Sequence, residues 1–340
     1  AGATSDALKL IDLRHAAYNG RGQYLSAGNP DSLSASLQNV ISDIESRKGS
    51  GSAVSFNSST LLSGSSLYFA SFDTVGWTGD VRSFSVNPAT GRLIQPAQWS
   101  AADKLNLKTN GEIAARTVYT WGVEDAAGTN NGVLFDWNIS VPTPASTILA
   151  DFKVNPDLTT DTSPFSASQR RLNFVRGDTS NDGVGLIRER ESRLGDMIHS
   201  ATQFVGKPVS NWPDTGSFGI DGNRYSSYET SSSRDEVVYV GANDGLLHGF
   251  SASTGQEVLA YLPSAPASVI DSQGLHYLTE SDYQHRYYVD GSPVSTDVYM
   301  PIEPLGTKDW RTILIGALGG GGQGLYALDV TNPTLFTNTQ

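Results

Sequence analysis

Residues Asp178-Thr179-Ser180-Asn181-Asp182-Gly183, with Glu189 twelfth counting from Asp178, put oxygen-bearing side chains where a calcium loop needs them. Such a loop takes ligands at positions 1, 3 and 5, turns sharply on a Gly at 6 and closes on a bidentate carboxylate at 12. Asp178, Ser180, Asp182 and Glu189 are therefore a candidate calcium set, with Ser180 standing where Asp or Asn is usual. The preceding Leu172-Asn173-Phe174-Val175 reads as a strand, so a complete EF-hand is not expected. The competing reading is a polar loop whose acids pair with Arg188, Arg190 and Arg193. Overlapping it, Arg176-Gly177-Asp178 spells the tripeptide recognised by integrins, and its plainer alternative is a turn in which the Asp carboxylate accepts from neighbouring amides.

A second pattern with chemical meaning is Gly319-Gly320-Gly321-Gly322-Gln323-Gly324, which satisfies the G-x-G-x-x-G of dinucleotide sites. That fingerprint works where a helix leaves the glycines and its N-terminus holds a pyrophosphate. Here Leu325 to Val330 alternates like a strand and stops at Thr331-Asn332-Pro333, so the expectation is a tight connection between two strands. The five histidines, His15, His199, His248, His276 and His285, show neither H-x-H nor H-E-x-x-H spacing, and no G-x-S-x-G elbow is present. His248 is expected to pack or to face solvent.

Composition narrows the partners. A net charge of -12 lacks the basic face that phosphate backbones require, so nucleic acid is not an expected ligand. With no Cys, disulfide frameworks, thiol catalysis and Cys-ligated zinc are excluded. At 340 residues with 38% hydrophobic and 17% charged content, the chain has ordinary material for a folded core and a soft expectation of two domains. No run is long enough for a transmembrane helix. A start at Ala1, with no initiating Met or signal-type apolar stretch, suggests a processed or excised piece.

The elements that would carry these residues are mostly strands. Asn29-Pro30-Asp31-Ser32 caps a helix of about 30–47 whose Leu33, Leu37, Val40, Ile41 and Ile44 share one face. A Ser/Gly-rich stretch with a possible short strand around Ala53 to Phe56 follows. From Leu67 onward short strands alternate with Gly, Asn, Asp and Pro turns, an all-β signature. We expect a linker segment over 1–60 and β-propeller blades with long insertions over 61–340. Three passages resemble one another: Trp77 to Arg92, Asn243 to Gln256 and Gly322 to Pro333. Each reads as one hairpin of a blade, irregularly spaced because insertions intervene. Trp77, Trp99, Trp121, Trp137 and Trp310 are expected to pack between blades. The Ser/Tyr/Gly-rich insertion Asn211 to Arg234 is expected to be a mobile loop suited to partner contact.

Asp235 to Phe250, followed by Thr254-Gly255-Gln256-Glu257 and Ala260-Tyr261-Leu262-Pro263-Ser264, resembles the C-terminal propeller of the PilY1/PilC family of type IV pilus tip adhesins. Tyr283 to Pro293, Trp310 to Gly316, Arg193 to Ser200 and Tyr68 to Phe72 with Trp77 to Asp80 resemble the same family, so the likeness spans most of 20–335. Ile11 to Leu33 resembles the segment that joins this propeller to an upstream, often von Willebrand A-like, region. The resemblance implies an irregular β-propeller, incomplete in this chain, because the family propeller runs past the position of Gln340. The family's own Asp-rich calcium loop lies in that continuation, so calcium at 178–189 is a reading of these residues alone.

The resemblance further implies a non-enzymatic, extracellular protein at the pilus tip or bacterial outer surface. It would support adhesion to host cells or abiotic surfaces, assembly with minor pilins, twitching motility and virulence. Two alternatives stand beside it. The blades are also similar to those of pyrroloquinoline quinone dehydrogenases, in their D-G-x-L-x-A and T-G turns, although the vicinal disulfide many of those enzymes carry is impossible without Cys. The other alternative is a structural scaffold for an upstream adhesive domain.

Overall fold

A computed structural model describes residues 50–56, 66–87, 92–122, 132–136, 146–154, 167–185, 187–215, 223–301 and 306–337. The chain divides into two compact units, Ala1–Ser50 and Gly51–Gln340. Apart from Ser50, the described residues belong to the second unit, and the helix expected over about 30–47 lies outside them.

Among the described residues three sheets follow one another along the chain. The first has the order β1-β2-β3-β4, formed by Ser50–Phe56, Ser66–Asp73, Thr78–Ser85 and Trp99–Ser100. The second has the order β6-β5-β10-β9-β8-β7. Its strands are β5 (Val118–Trp121), β6 (Gly132–Leu134), β7 (Gln203–Val205), β8 (Val237–Gly241), β9 (Leu247–Ser251) and β10 (Glu257–Leu262). The third is β11-β12-β13, from Val294–Pro301, Lys308–Ala317 and Leu325–Asp329. None of the three closes on itself among the described residues. The three similar passages fall one to a sheet, in β3, β9 and β13, as blade repeats should.

Side-chain alternation explains the stacking. In β8 all five residues are buried, which requires cover on both faces. Val238 and Val240 point into a core shared with Tyr68, Ala70, Val81 and Trp99 of the first sheet. Their neighbours Val237 and Tyr239 enter a different core with Leu314 and Tyr326 of the third. The second sheet is thus packed between the other two, and each fully buried Val or Phe on it contributes about 1.5–3 kcal/mol. Trp99 joins first and second sheets, with its indole Nε1 donating to Ala252 O at 3.0 Å. Trp310 is buried in the third. Trp77 and Trp121 depart from expectation, at 37% and 41% exposed: Trp77 lies in the turn just before β3 and Trp121 is the last residue of β5, margins of a sheet rather than its interior. Trp137 lies outside the described residues.

Among the described residues six short helices interrupt the strands: α1 (Ala101–Asn106), α2 (Asn110–Ala114), α3 (Ser146–Phe152), α4 (Ala167–Val175), α5 (Tyr225–Ser231) and α6 (Gly274–Tyr277). Side chains from α3, α4 and α6 build a third core with Val118, Ala260 and Leu262 of the second sheet and Leu246 of the β8–β9 turn. Leu172 to Val175, expected as a strand, is the end of α4. Alternation over four residues does not separate strand from helix, and Leu172 and Val175 at i, i+3 both face this core.

The glycine run behaves as expected of a strand connection. β12 enters it, Gly319–Gly321 makes one 3-10 turn, and β13 leaves. Gly319 and Gly322 have φ of 58° and 138°, and a Cβ on Gly321 would strike the Tyr288 carbonyl oxygen. The run lets the chain turn against Tyr288 where a side chain has no room.

Candidate functional site

The strongest electrostatic feature is buried in the second sheet. Asp244 sits in the β8–β9 turn, His248 on β9, Glu257 at the start of β10 and Arg116 two residues before β5. Arg116 donates to Glu257 twice, Nε to Oε2 at 2.6 Å and Nη2 to Oε1 at 2.7 Å, with both side chains 3% exposed. His248 bridges the two acids: Nδ1 lies 2.7 Å from Glu257 Oε1 and Nε2 lies 3.1 Å from Asp244 Oδ2. Asp244 also accepts from the backbone N–H of Gly195 and Leu246.

Burial by itself would lower the His248 pKa, yet Asp244 and Glu257 outweigh it and push it up to about 9. Burial would likewise raise Glu257, but Arg116 and His248 hold it down to about 2. With a carboxylate on each ring nitrogen, the ring is an imidazolium at neutral pH. This chain of charges clamps β5 to β10, with Asp244, its side chain 17% exposed, at the end that borders a cavity.

The tripeptide Arg176-Gly177-Asp178 meets this clamp at its inner end. Arg176 is 6% exposed. Its guanidinium donates to the carbonyls of Phe135, Ala114 and Arg116, and its own carbonyl accepts from Arg116 Nη1. As folded, the tripeptide does not present its arginine to a partner, because carbonyls from the end of α2, from Arg116 and from Phe135 just after β6 hold that arginine inside. Gly177, at φ 101°, turns the chain off the end of α4.

In the loop that follows, Asp178 Oδ1 accepts from Ser180 N at 2.7 Å and from the Ser180 hydroxyl at 2.5 Å. Asp182 is held by Arg190, Nε to Oδ2 at 2.9 Å. Arg190 also donates to the carbonyls of Phe174 and Asp178, and Arg193 to that of Gly177 at 2.8 Å. Glu189 is exposed and makes no hydrogen bond or ion pair among the described residues. The loop is thus tied internally by Arg190 and Arg193, two of the arginines of the polar-loop reading. Among the described residues no three His, Asp or Glu side chains gather as a metal site.

Beside this loop opens a cleft of about 420 Å³ lined in part by Trp77, Arg188, Glu189, Glu191 and Tyr283. Trp77 stacks on His285 with ring centroids 3.7 Å apart and planes 19° from parallel. His285 Nε2 in turn lies 3.0 Å from both oxygens of Asp196, which also accepts from Asn243 Nδ2 at 2.6 Å. Arg188 donates from Nε to Leu278 O at 2.6 Å, with its guanidinium carbon 4.7 Å from the Tyr283 ring centroid and 5.3 Å from that of Phe174. Burial lowers its pKa.

Sequence reasoning passed over most of these groups. His248 is fully buried between two acids instead of merely packed or exposed. Its signal was the spacing of Asp244 and His248 within the blade repeat. Asp151, fully buried, collects four donors: the N–H groups of Ser268, Leu275 and His276, and His276 Nδ1 at 2.7 Å. No local motif announces that convergence. The insertion Asn211 to Arg234 is anchored over its described part. Tyr225 donates to Asp297 Oδ2 at 2.6 Å, the Tyr228 hydroxyl lies 2.9 Å from that of Thr312, and Trp212 packs against Trp310. Its tyrosines serve the third sheet because their rings bury apolar area while their hydroxyls meet strand polar groups.

Three stacked blade-like sheets pinned by buried charge define a β-propeller-type domain. Residues 194–336 match the family described as the PilY1 beta-propeller domain, and this part of the chain belongs to that family. The chain is 33% identical over 344 residues to the type IV pilus biogenesis factor PilY1 of Pseudomonas aeruginosa strain UCBPP-PA14, covering 95% of this chain and 27% of that protein. It is 34% identical over 336 residues to the protein of the same name from strain PAK, covering 95% and 27%. A PilY1 homolog of Xylella fastidiosa strain Temecula1 is 33% identical over 313 residues, covering 91% and 22%. The chain therefore spans about a quarter of the length of these relatives. No solved structure matches it. No helix among the described residues is long and apolar enough to cross a membrane.

Proposed function

We propose that this chain is the propeller portion of a type IV pilus biogenesis factor. It acts without catalysis at the cell surface, as a tip-associated module that contacts minor pilins and supports attachment and twitching motility. The observation that carries the reading is the identity of about a third, sustained over 95% of the chain, to proteins named for pilus biogenesis. The fold is consistent with such a role. Its most concentrated charge is locked inside as a clamp, while loops such as 178–189 and the Trp77 turn are left at the surface, where recognition by a rigid scaffold takes place.

The test is deletion of this segment from the full-length protein in its own host. Loss of surface pili and twitching, restored by the intact gene, supports the biogenesis role. Recovery of minor pilins on the immobilised chain, and saturable attachment of the chain to epithelial cells or glass, support the finer assignments. Normal piliation in the deletion strain overturns the biogenesis role. Failure of the chain to retain minor pilins or attach, with piliation still lost, leaves a scaffold for an adhesive region elsewhere in the protein.

A further inference from the structure

Three features of the Trp77 cleft belong neither to the buried clamp nor to the packing of the sheets. The first is the tryptophan. Trp77 adopts φ 50°, a left-handed conformation that costs a bulky residue of order 1–3 kcal/mol and persists only where its surroundings impose it. Those surroundings are a relay of Asn243, Asp196 and His285 ending in the stack beneath the indole. One side of the ring rests on His285, no other ring among the described residues packs on it, and the residue remains 37% exposed beside the cleft.

The second feature is Arg188. Its guanidinium is wedged between Phe174 and Tyr283 and tied through Nε, while its two Nη groups have no hydrogen-bond partner among the described residues. The third is a pair of free carboxylates. Glu189 and Glu191 line the same cleft, are exposed, and make no ion pair or hydrogen bond among the described residues. The Glu191 carboxylate lies against Gly76, the residue before Trp77, and would have to shift to admit a side chain there.

Charge decides what such a cleft accepts. An anion drawn to Arg188 meets Glu189 and Glu191, and a cation drawn to those acids and the indole meets Arg188. A neutral polyol uses every group at once. Its hydroxyls donate to the carboxylates and accept from the guanidinium, and the C–H face of its ring lies on the open side of Trp77. The volume suits a mono- or disaccharide. We propose that the Trp77 cleft is a binding site for a neutral saccharide. Trp77 is the stacking platform, Arg188 the donor, and Glu189 and Glu191 the acceptors. The proposal rests on the surface-attachment reading for its use, while its binding chemistry can be measured apart from attachment.

The experiment is saturation-transfer NMR on the intact chain with galactose, N-acetylglucosamine, N-acetylgalactosamine and lactose, each titrated separately. Sialyllactose serves as the anionic comparator and choline as the cationic one. At least one neutral sugar should bind saturably, with affinity at least tenfold weaker in Trp77→Ala and in Glu191→Gln. Glu191 is exposed and unpaired, so its substitution leaves folding intact and covers the case in which Trp77→Ala does not fold. Absence of saturable binding by all four neutral sugars overturns the proposal. So does binding of only sialyllactose or only choline, or neutral-sugar binding that both variants retain in full. Attachment of the chain to cells or glass without sugar binding would leave the attachment reading standing and remove this one.

Discussion

Arg116 and Glu257 stand 141 residues apart in the chain and meet as a two-pronged pair with both side chains 3% exposed. The pair lies where β5 runs parallel to β10, the one parallel register described in the second sheet. His248 extends it to Asp244, so four charges of alternating sign cross the sheet. Ion pairs this deep gain little over a well-packed apolar substitute, but removing one member strands the rest.

Glu257→Gln should therefore destabilise the chain by about 3–5 kcal/mol, since Arg116 and His248 lose their shared carboxylate while remaining buried. Chemical denaturation followed by far-UV circular dichroism measures this. A change under about 1 kcal/mol would mean that water reaches the pair.

The same network sets a pH signature. His248 is raised from 6.5 to about 9 in the folded protein, so its contribution is fully present below pH 6.5 and disappears as pH climbs through 9. At full strength it is roughly 3 kcal/mol. Glu257 is lowered from 4.5 to about 2, so its contribution is present above pH 4.5 and is lost as pH falls through 2. The stability difference between the native chain and His248→Gln should be level between about pH 4.5 and 6.5 and shrink from pH 6.5 to 9. A difference that instead grows up to about pH 6.5 and stays level from there to pH 9 would show that the ring is neutral in the fold.

Calcium can use the 178–189 loop only if Arg190 releases Asp182. Because Arg190 is also tied to the Phe174 and Asp178 carbonyls, millimolar calcium should leave the thermal midpoint where EDTA leaves it. A calcium-specific rise, absent with magnesium and abolished by Asp178→Ala, would establish the loop as a metal site.

Tyr225→Phe removes a donor from Asp297, which also accepts from Ser210 and Thr312. A cost of about 1–3 kcal/mol is expected, with faster amide exchange over α5 than over β12. Equal exchange in mutant and native chains would show that the Trp310 ring cluster alone anchors the insertion.

Much of the blade architecture was legible in the sequence, because a strand repeat carries its period in a few residues. The Gly-Leu-Leu-His-Gly-Phe passage and its two relatives each mark one sheet, and the glycine run was readable as a connection from the alternation after it. The helices were less visible. Thr109 and Glu112 form a capping box that three letters of spacing announce, but Leu172 to Val175 looks alike in either conformation over so short a window. The site was mostly illegible. Arg176 and Asp178 stand two apart in sequence, yet one faces the core and the other the solvent loop. The neighbours of Asp182 and Trp77 are set by folding of distant segments, and Arg188 beside Tyr283 has no local signature at all.

The parallel seam between β5 and β10 also governs the order of construction. Val118 to Thr120 align with Ala260 to Leu262, so a strand made early waits for one made about 140 residues later. Non-local closure of this kind slows folding and leaves an unpaired edge in the interval. A chain stopped short of Glu257 would lose more than its last sheet. It would leave β5 and β6 as an orphan hairpin, with a buried arginine awaiting its acid, so premature termination anywhere before β10 should yield an aggregating product instead of a smaller propeller.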